Sequence, residues 1–113
     1  MIFFKPHAQP DGEAYFEALD GDVCLGTCRL RFDGGKADVY ALSLSDGDAE
    51  TGEGLLRAAY HFAANRGAYW GLCSAPGAAA VIARLRFDET ALPPQNDIPT
   101  LLSGHCKMNG GCS

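Results

Sequence analysis

Residues 46–67, DGDAETGEGLLRAAYHFAANRG, place Gly52 and Gly54 one residue apart, where a polar loop runs into an apolar-periodic helix. Backbone N–H groups at a helix start lack intrahelical acceptors and carry a partial positive charge, so they form a ready anion site. Glycines there let phosphate oxygens approach the donors without meeting a Cβ. The same glycines could equally ease a loop into a helix, with Thr51 as N-cap. Asp46, Asp48, Glu50 and Glu53 oppose a bound anion by like-charge repulsion, or act as first-turn acids on a helix that binds nothing.

Groups able to move a proton are Glu17, Asp38, Tyr40 and His61, each a candidate general base toward an amine. His61 lies five residues beyond Leu56 and is expected to look away from the apolar stripe, into solvent. The tail SGHCKMNGGCS holds His105, Cys106 and Cys112, three ligands where zinc wants four. Cys73 could complete a set if the tail folds back, and the glycines beside Cys106 and Cys112 suit a reversible disulfide. A frayed, thiol-bearing end is the default for such a tail.

The elements that must position these groups follow from periodicity. EAYFEALDGDVCLGTCRLRFDGGKADVYALSLSD predicts three strands, with Asp20-Gly21 and Gly34-Gly35 as hairpin turns. In the middle strand Cys24, Gly26, Cys28, Leu30 and Phe32 alternate with Arg29 and Arg31 on the other face. Cys24 and Cys28 are therefore expected in the core rather than on a metal. Leu55, Leu56, Ala59 and Ala63, flanked by Tyr60 and Phe62, trace a helical stripe that Arg66-Gly67 closes. Residues 68–73 predict a short buried strand around Trp70. Pro76 suits the first turn of a second helix carrying Ala78, Val81, Ile82 and Leu85. RFDET opens a further extended piece, and Ile98 to Leu102 form an apolar patch. The order is that of one α+β or α/β domain.

The 113 residues carry a net charge of -5 and 47% hydrophobic residues. That charge argues against a duplex nucleic-acid binder, which needs a basic face. No apolar run is long enough to span a membrane, and MIFFKPHAQP does not make a signal peptide. A cytoplasmic protein with five mostly reduced cysteines is expected.

Taken together, Ala49-Glu50-Thr51-Gly52-Glu53-Gly54 after a strand ending at Leu44, the hairpin DGDVCLGTCRL with its mid-strand Gly26, and the later IARLRF resemble the GNAT N-acetyltransferase superfamily. The resemblance covers Glu13 to Glu89. It implies a GNAT-like α+β fold, a mixed and mostly antiparallel sheet flanked by helices. It also implies an acyl transfer from coenzyme A (acetyl-CoA) to a small-molecule amine or peptide acceptor. The coenzyme's pyrophosphate would sit at the N-terminus of a helix starting near Gly52, on Leu44, Ala49, Glu50, Thr51, Gly52, Glu53, Gly54 and Leu55. Tyr40 and Ser43 would lie near the strand end facing the coenzyme. The family's Gln/Arg position is Ala49 here, its thiolate-protonating Tyr is Ile82, its Gly before the Phe is Arg86, and its helix-start Asn is Ala75. Residues 1–12 form a short segment where the family has a strand and two helices, so part of the acceptor wall is expected to be missing or to come from a partner. An open sheet edge there would favour a homodimer. The alternatives are a GNAT fold without catalysis, acting in binding or dimerisation, and a thiol or metal protein working through its cysteine tail.

Overall fold

The computed structural model describes residues 2–9, 12–45 and 47–103. Its order is β1 (Ile2–Gln9), β2 (Glu13–Asp20), β3 (Val23–Asp33), β4 (Lys36–Leu44), α1 (Ala49–Ala64), β5 (Trp70–Cys73), α2 (Ala79–Ile82), β6 (Gln95–Asp97) and α3 (Ile98–Leu102). The sheet runs β1-β2-β3-β4-β5-β6. All neighbours are antiparallel except β4 and β5, which α1 joins in parallel.

Period two governs the meander. Ala14, Phe16 and Ala18 of β2, Cys28 and Leu30 of β3, and Ala37 and Val39 of β4 are buried beneath α1. Gly34 and Gly35 both have positive φ (59° and 86°), the backbone a two-residue hairpin loop requires. The helix answers with Leu55, Leu56, Ala59, Tyr60 and Ala63, all fully buried. Tyr60 donates its hydroxyl to the Leu72 carbonyl of β5. Both α2 and α3 pack against α1. The sheet's other face carries Arg29 over the Tyr15 ring and Arg31 over the Tyr40 ring, at 5.0 and 4.6 Å from the ring centroids.

Several expectations are corrected. The opening residues are not a mere leading segment: Ile2–Gln9 pair with β2 along its whole length. Pro6 is tolerated because β1 is an edge strand. Cys24 is exposed, whereas Cys28 is buried as expected. A bulge explains the split, because Ala18 pairs with Gly26 and Leu19 with Cys24, leaving Leu25 as the extra residue that shifts the phase. Trp70 is half-buried rather than central to the core, and its Nε1 donates to Gln95 Oε1 at 2.9 Å. The second helix is one turn long. Gly77, at φ 75°, delays its start and turns follow Ile82, yet Ala78, Val81, Ile82 and Leu85 are all buried. The apolar patch at Ile98 is α3, capped by Asp97, which accepts from the Thr100 N–H at 2.9 Å. The tail residues 104–113, with His105, Cys106 and Cys112, lie outside the described residues.

Candidate functional site

The site is shaped by a second bulge. Arg29 pairs with Ala41 and Leu30 with Val39, so Tyr40 is an extra residue on β4. A bulge bends its strand and sharpens the local twist. On its other side β4 pairs with β5 only from Lys36 to Val39. β5 ends at Cys73, opposite Val39, and Tyr40 to Leu44 continue toward α1 with β3 as their only described strand partner. The result is an opening beside β4 past the end of β5, with the start of α1 beyond its far end.

The start of α1 differs from the sequence expectation. The helix begins at Ala49, and its N-cap is Asp48 rather than Thr51. Asp48 Oδ1 accepts the Glu50 N–H at 3.1 Å, and Oδ2 accepts the Thr51 hydroxyl at 3.0 Å. Gly52 and Gly54 therefore lie within the helix, not in the loop before it. Nor is their Cβ-free side open to a ligand. A Cβ on Gly52 would lie 2.5 Å from Val81 Cγ2 and 3.2 Å from Leu44 Cδ1. A Cβ on Gly54 would lie 2.2 Å from Phe4 Cζ. These glycines admit neighbouring side chains, which ties α1 to α2 on one side and to β1 on the other. Thr51, Gly52 and Leu55 are buried, Leu44 and Ala49 are half-buried, and Glu50 is exposed.

The carboxylates at this helix start are not left alone. Glu53 accepts from Arg57 Nε at 3.0 Å and from Arg84 Nε at 2.8 Å. Its partial burial alone would raise the carboxyl, but the hydrogen bonds from Arg84 and Arg57 outweigh that and hold it below the ordinary range. Arg84 is exposed and also feels Glu50 and Asp48, so it stands as a cation beside the α1 N-terminus. Sequence reasoning missed it, since no local pattern joins residues 53 and 84.

The proton-handling candidates separate. Asp38 sits beside the end of β5: it accepts from Ser74 Oγ at 2.9 Å, from the Ser74 N–H at 3.2 Å and from Arg31 Nη2 at 3.3 Å. Ser74 follows β5 directly and had given no sequence signal. Tyr40 turns its ring back across β3, where Arg31 covers it and its hydroxyl donates to Glu13 of β2. That hydrogen bond, with burial, raises the Tyr40 phenol above its usual range. Glu17 Oε1 accepts from His7 Nε2 of β1 at 2.9 Å, away from the opening. His61 is exposed on the flank of α1 that faces β1. Ile82, at the family's tyrosine position, is buried and apolar. Among the described residues no group of His, Cys, Asp and Glu could hold a metal ion. Nor is any helix long and apolar enough to cross a membrane.

No family model and no curated protein sequence matches this chain. Solved structures do. A Staphylococcus epidermidis protein to which acetyltransferase activity is ascribed superposes with a TM-score of 0.52 at 18% identity, over 56% of this chain and 42% of its own. A GNAT-family protein from Desulfovibrio desulfuricans, with acetyltransferase activity likewise ascribed, gives 0.50 at 18%, over 55% and 43%. The chain thus spans less than half the length of either structure. Likeness at this identity speaks for architecture: the chain has a GNAT-like α+β fold, with a mixed six-stranded sheet flanked by helices.

Proposed function

We propose that the chain binds acyl-coenzyme A at the opening beside β4 past the end of β5 and transfers its acyl group to an amine. The observation that carries this reading is the edge of β4 that runs on past the end of β5 without a described strand partner, bent by the Tyr40 bulge, directly before a helix start. Unpaired strand-edge N–H and C=O groups accept an extended partner, and the amide-bearing arm of coenzyme A is one. At the far end, the first-turn N–H groups of Ala49 and Thr51 and the Arg84 guanidinium suit the pyrophosphate. Gly52, Gly54 and Leu55 belong to this site as its support, holding α1 against Val81, Phe4 and the core.

When bound, the coenzyme supplies a thioester whose acyl carbon the amine attacks while the C–S bond breaks. Asp38 is the group of this chain placed to take the amine's proton, through the Ser74 hydroxyl that already donates to it. Arg31 and the Ser74 N–H hold the Asp38 carboxylate in place for that role.

Calorimetric titration of coenzyme A and acetyl-CoA tests the binding half. Glu50→Gln should tighten binding about twofold to fivefold by removing a like charge, and Arg84→Ala should weaken it by a similar factor. An absence of binding at millimolar coenzyme defeats the reading. A second reading, a coenzyme-binding module without transfer, is favoured by the Asp48 carboxylate, which already takes a first-turn N–H. Transfer to any amine in a polyamine and peptide panel, abolished by Asp38→Asn, excludes that second reading.

A further inference from the structure

On the flank of α1 away from α2, a cavity of about 630 Å³ lies between β1, α1 and α3. That is the size of a small-molecule site. Phe4, Phe16, Phe62 and Leu102 give it apolar walls. Along α1, Arg57, His61 and Asn65 border it at four-residue steps, one above the other.

Arg57 gives the cavity its chemical direction. Its Nε donates to Glu53 and its Nη1 to the Leu102 carbonyl at 2.9 Å. Its Nη2 is buried and has no acceptor among the described residues. A buried donor without an acceptor is costly, and in a folded protein it asks for a missing partner. Glu53 does not neutralise the site, because its other oxygen serves Arg84. One carboxylate is thus shared by two guanidinium groups.

We propose that this cavity binds a small amphipathic carboxylate, with its apolar body against the phenylalanine rings and its carboxylate on Arg57. A carboxylate supplies the acceptor that Nη2 lacks, as a charge-assisted hydrogen bond. His61 and Asn65 line the cavity farther along α1. An amine of the same length meets a like charge, and an alcohol gains the apolar contact alone. This inference is independent of the coenzyme reading, since it concerns the opposite flank of the helix.

The test uses sodium octanoate, with octylamine and octanol as matched probes, titrated into the full chain and followed by amide chemical shifts. Octanoate should shift residues 54–65 and Leu102 saturably and bind about tenfold or more tighter than octanol, while octylamine does not saturate. Arg57→Gln should reduce octanoate to the octanol level. Because Arg57 also ties α1 to Leu102, Ala58→Trp serves as the second variant: it fills the cavity with Arg57 in place and should abolish octanoate binding in a folded protein. Equal binding of octanoate and octanol, no binding of octanoate, or octanoate binding unchanged by Ala58→Trp overturns the proposal. So does a concentration-dependent dimer that Ala58→Trp dissociates, since a second copy then occupies the cavity.

Discussion

Replacing Gly52 by alanine places a methyl group 2.5 Å from Val81 Cγ2, against a side chain only 2% exposed. Two terms compete. Alanine in a helix interior is favoured over glycine by about 1 kcal/mol. Overpacking a closed contact costs about 1–3 kcal/mol, and a β-branched valine has little rotamer freedom with which to yield. Gly52→Ala should therefore destabilise the chain by about 0–2 kcal/mol. Val81→Ala alone removes buried methyl groups and should cost about 2 kcal/mol. In that background only the 3.2 Å approach to Leu44 Cδ1 remains, so Gly52→Ala should now stabilise by up to about 1 kcal/mol. The signature is a change of sign, read as a coupling of about 1–3 kcal/mol in a double-mutant cycle by urea denaturation. A stabilising Gly52→Ala in both backgrounds, together with loss of coenzyme binding, would refute the packing argument and return the glycine to the ligand.

Three further outcomes are expected. Glu53 has a lower pKa folded than unfolded, so its contribution is present above the ordinary carboxylate range and is lost as pH falls through the folded value. Glu53→Gln should cost about 1–3 kcal/mol at neutral pH and flatten the stability profile below about pH 4.5, as acid titration of both proteins will show. Burial pushes the Cys28 thiol up to about 12, helped by nearby Cys73, and pushes Cys73 up to about 11, helped by Asp38. In a Cys106→Ser, Cys112→Ser background, exposed Cys24 should react with a thiol reagent at pH 8 within the mixing time, while Cys28 and Cys73 react only at the unfolding rate. Tyr60→Phe leaves the Leu72 carbonyl without its donor and should cost about 1–2 kcal/mol by urea denaturation, without changing coenzyme affinity.

The hairpins and the long helix were legible because each repeats a strong period over many residues and ends at turn-forming glycines. The first strand was not: FFKP shows no alternation, and proline weighs against a strand unless its place at an edge is known. The second helix was overextended because burial of Ala78 and Leu85 does not require them to be helical. At the site, Asp48 was as good a cap as Thr51, and only the pairing geometry chooses between them. The glycines signal a close approach, but nothing local announces that Val81 and Phe4 are what press against them. Arg84 and Ser74 reach the site through the tertiary fold, from outside any motif. One signal does lie in the sequence: the inward-facing Val39 and Leu42 are three apart, the mark of a bulge between them.

That spacing has a consequence for how the opening can vary. Ala37 and Val39 face the core before the bulge, and Leu42 and Leu44 pack against it afterwards. Were Tyr40 deleted, Ala41 alone would separate Val39 from Leu42, and each of these side chains would keep its face. The extra residue therefore adds nothing to the inside–outside pattern of the strand; it adds curvature. Core and gap are separately adjustable in this sheet. One residue sets how sharply β4 bends past the end of β5, and its removal would straighten that edge over an unaltered interior.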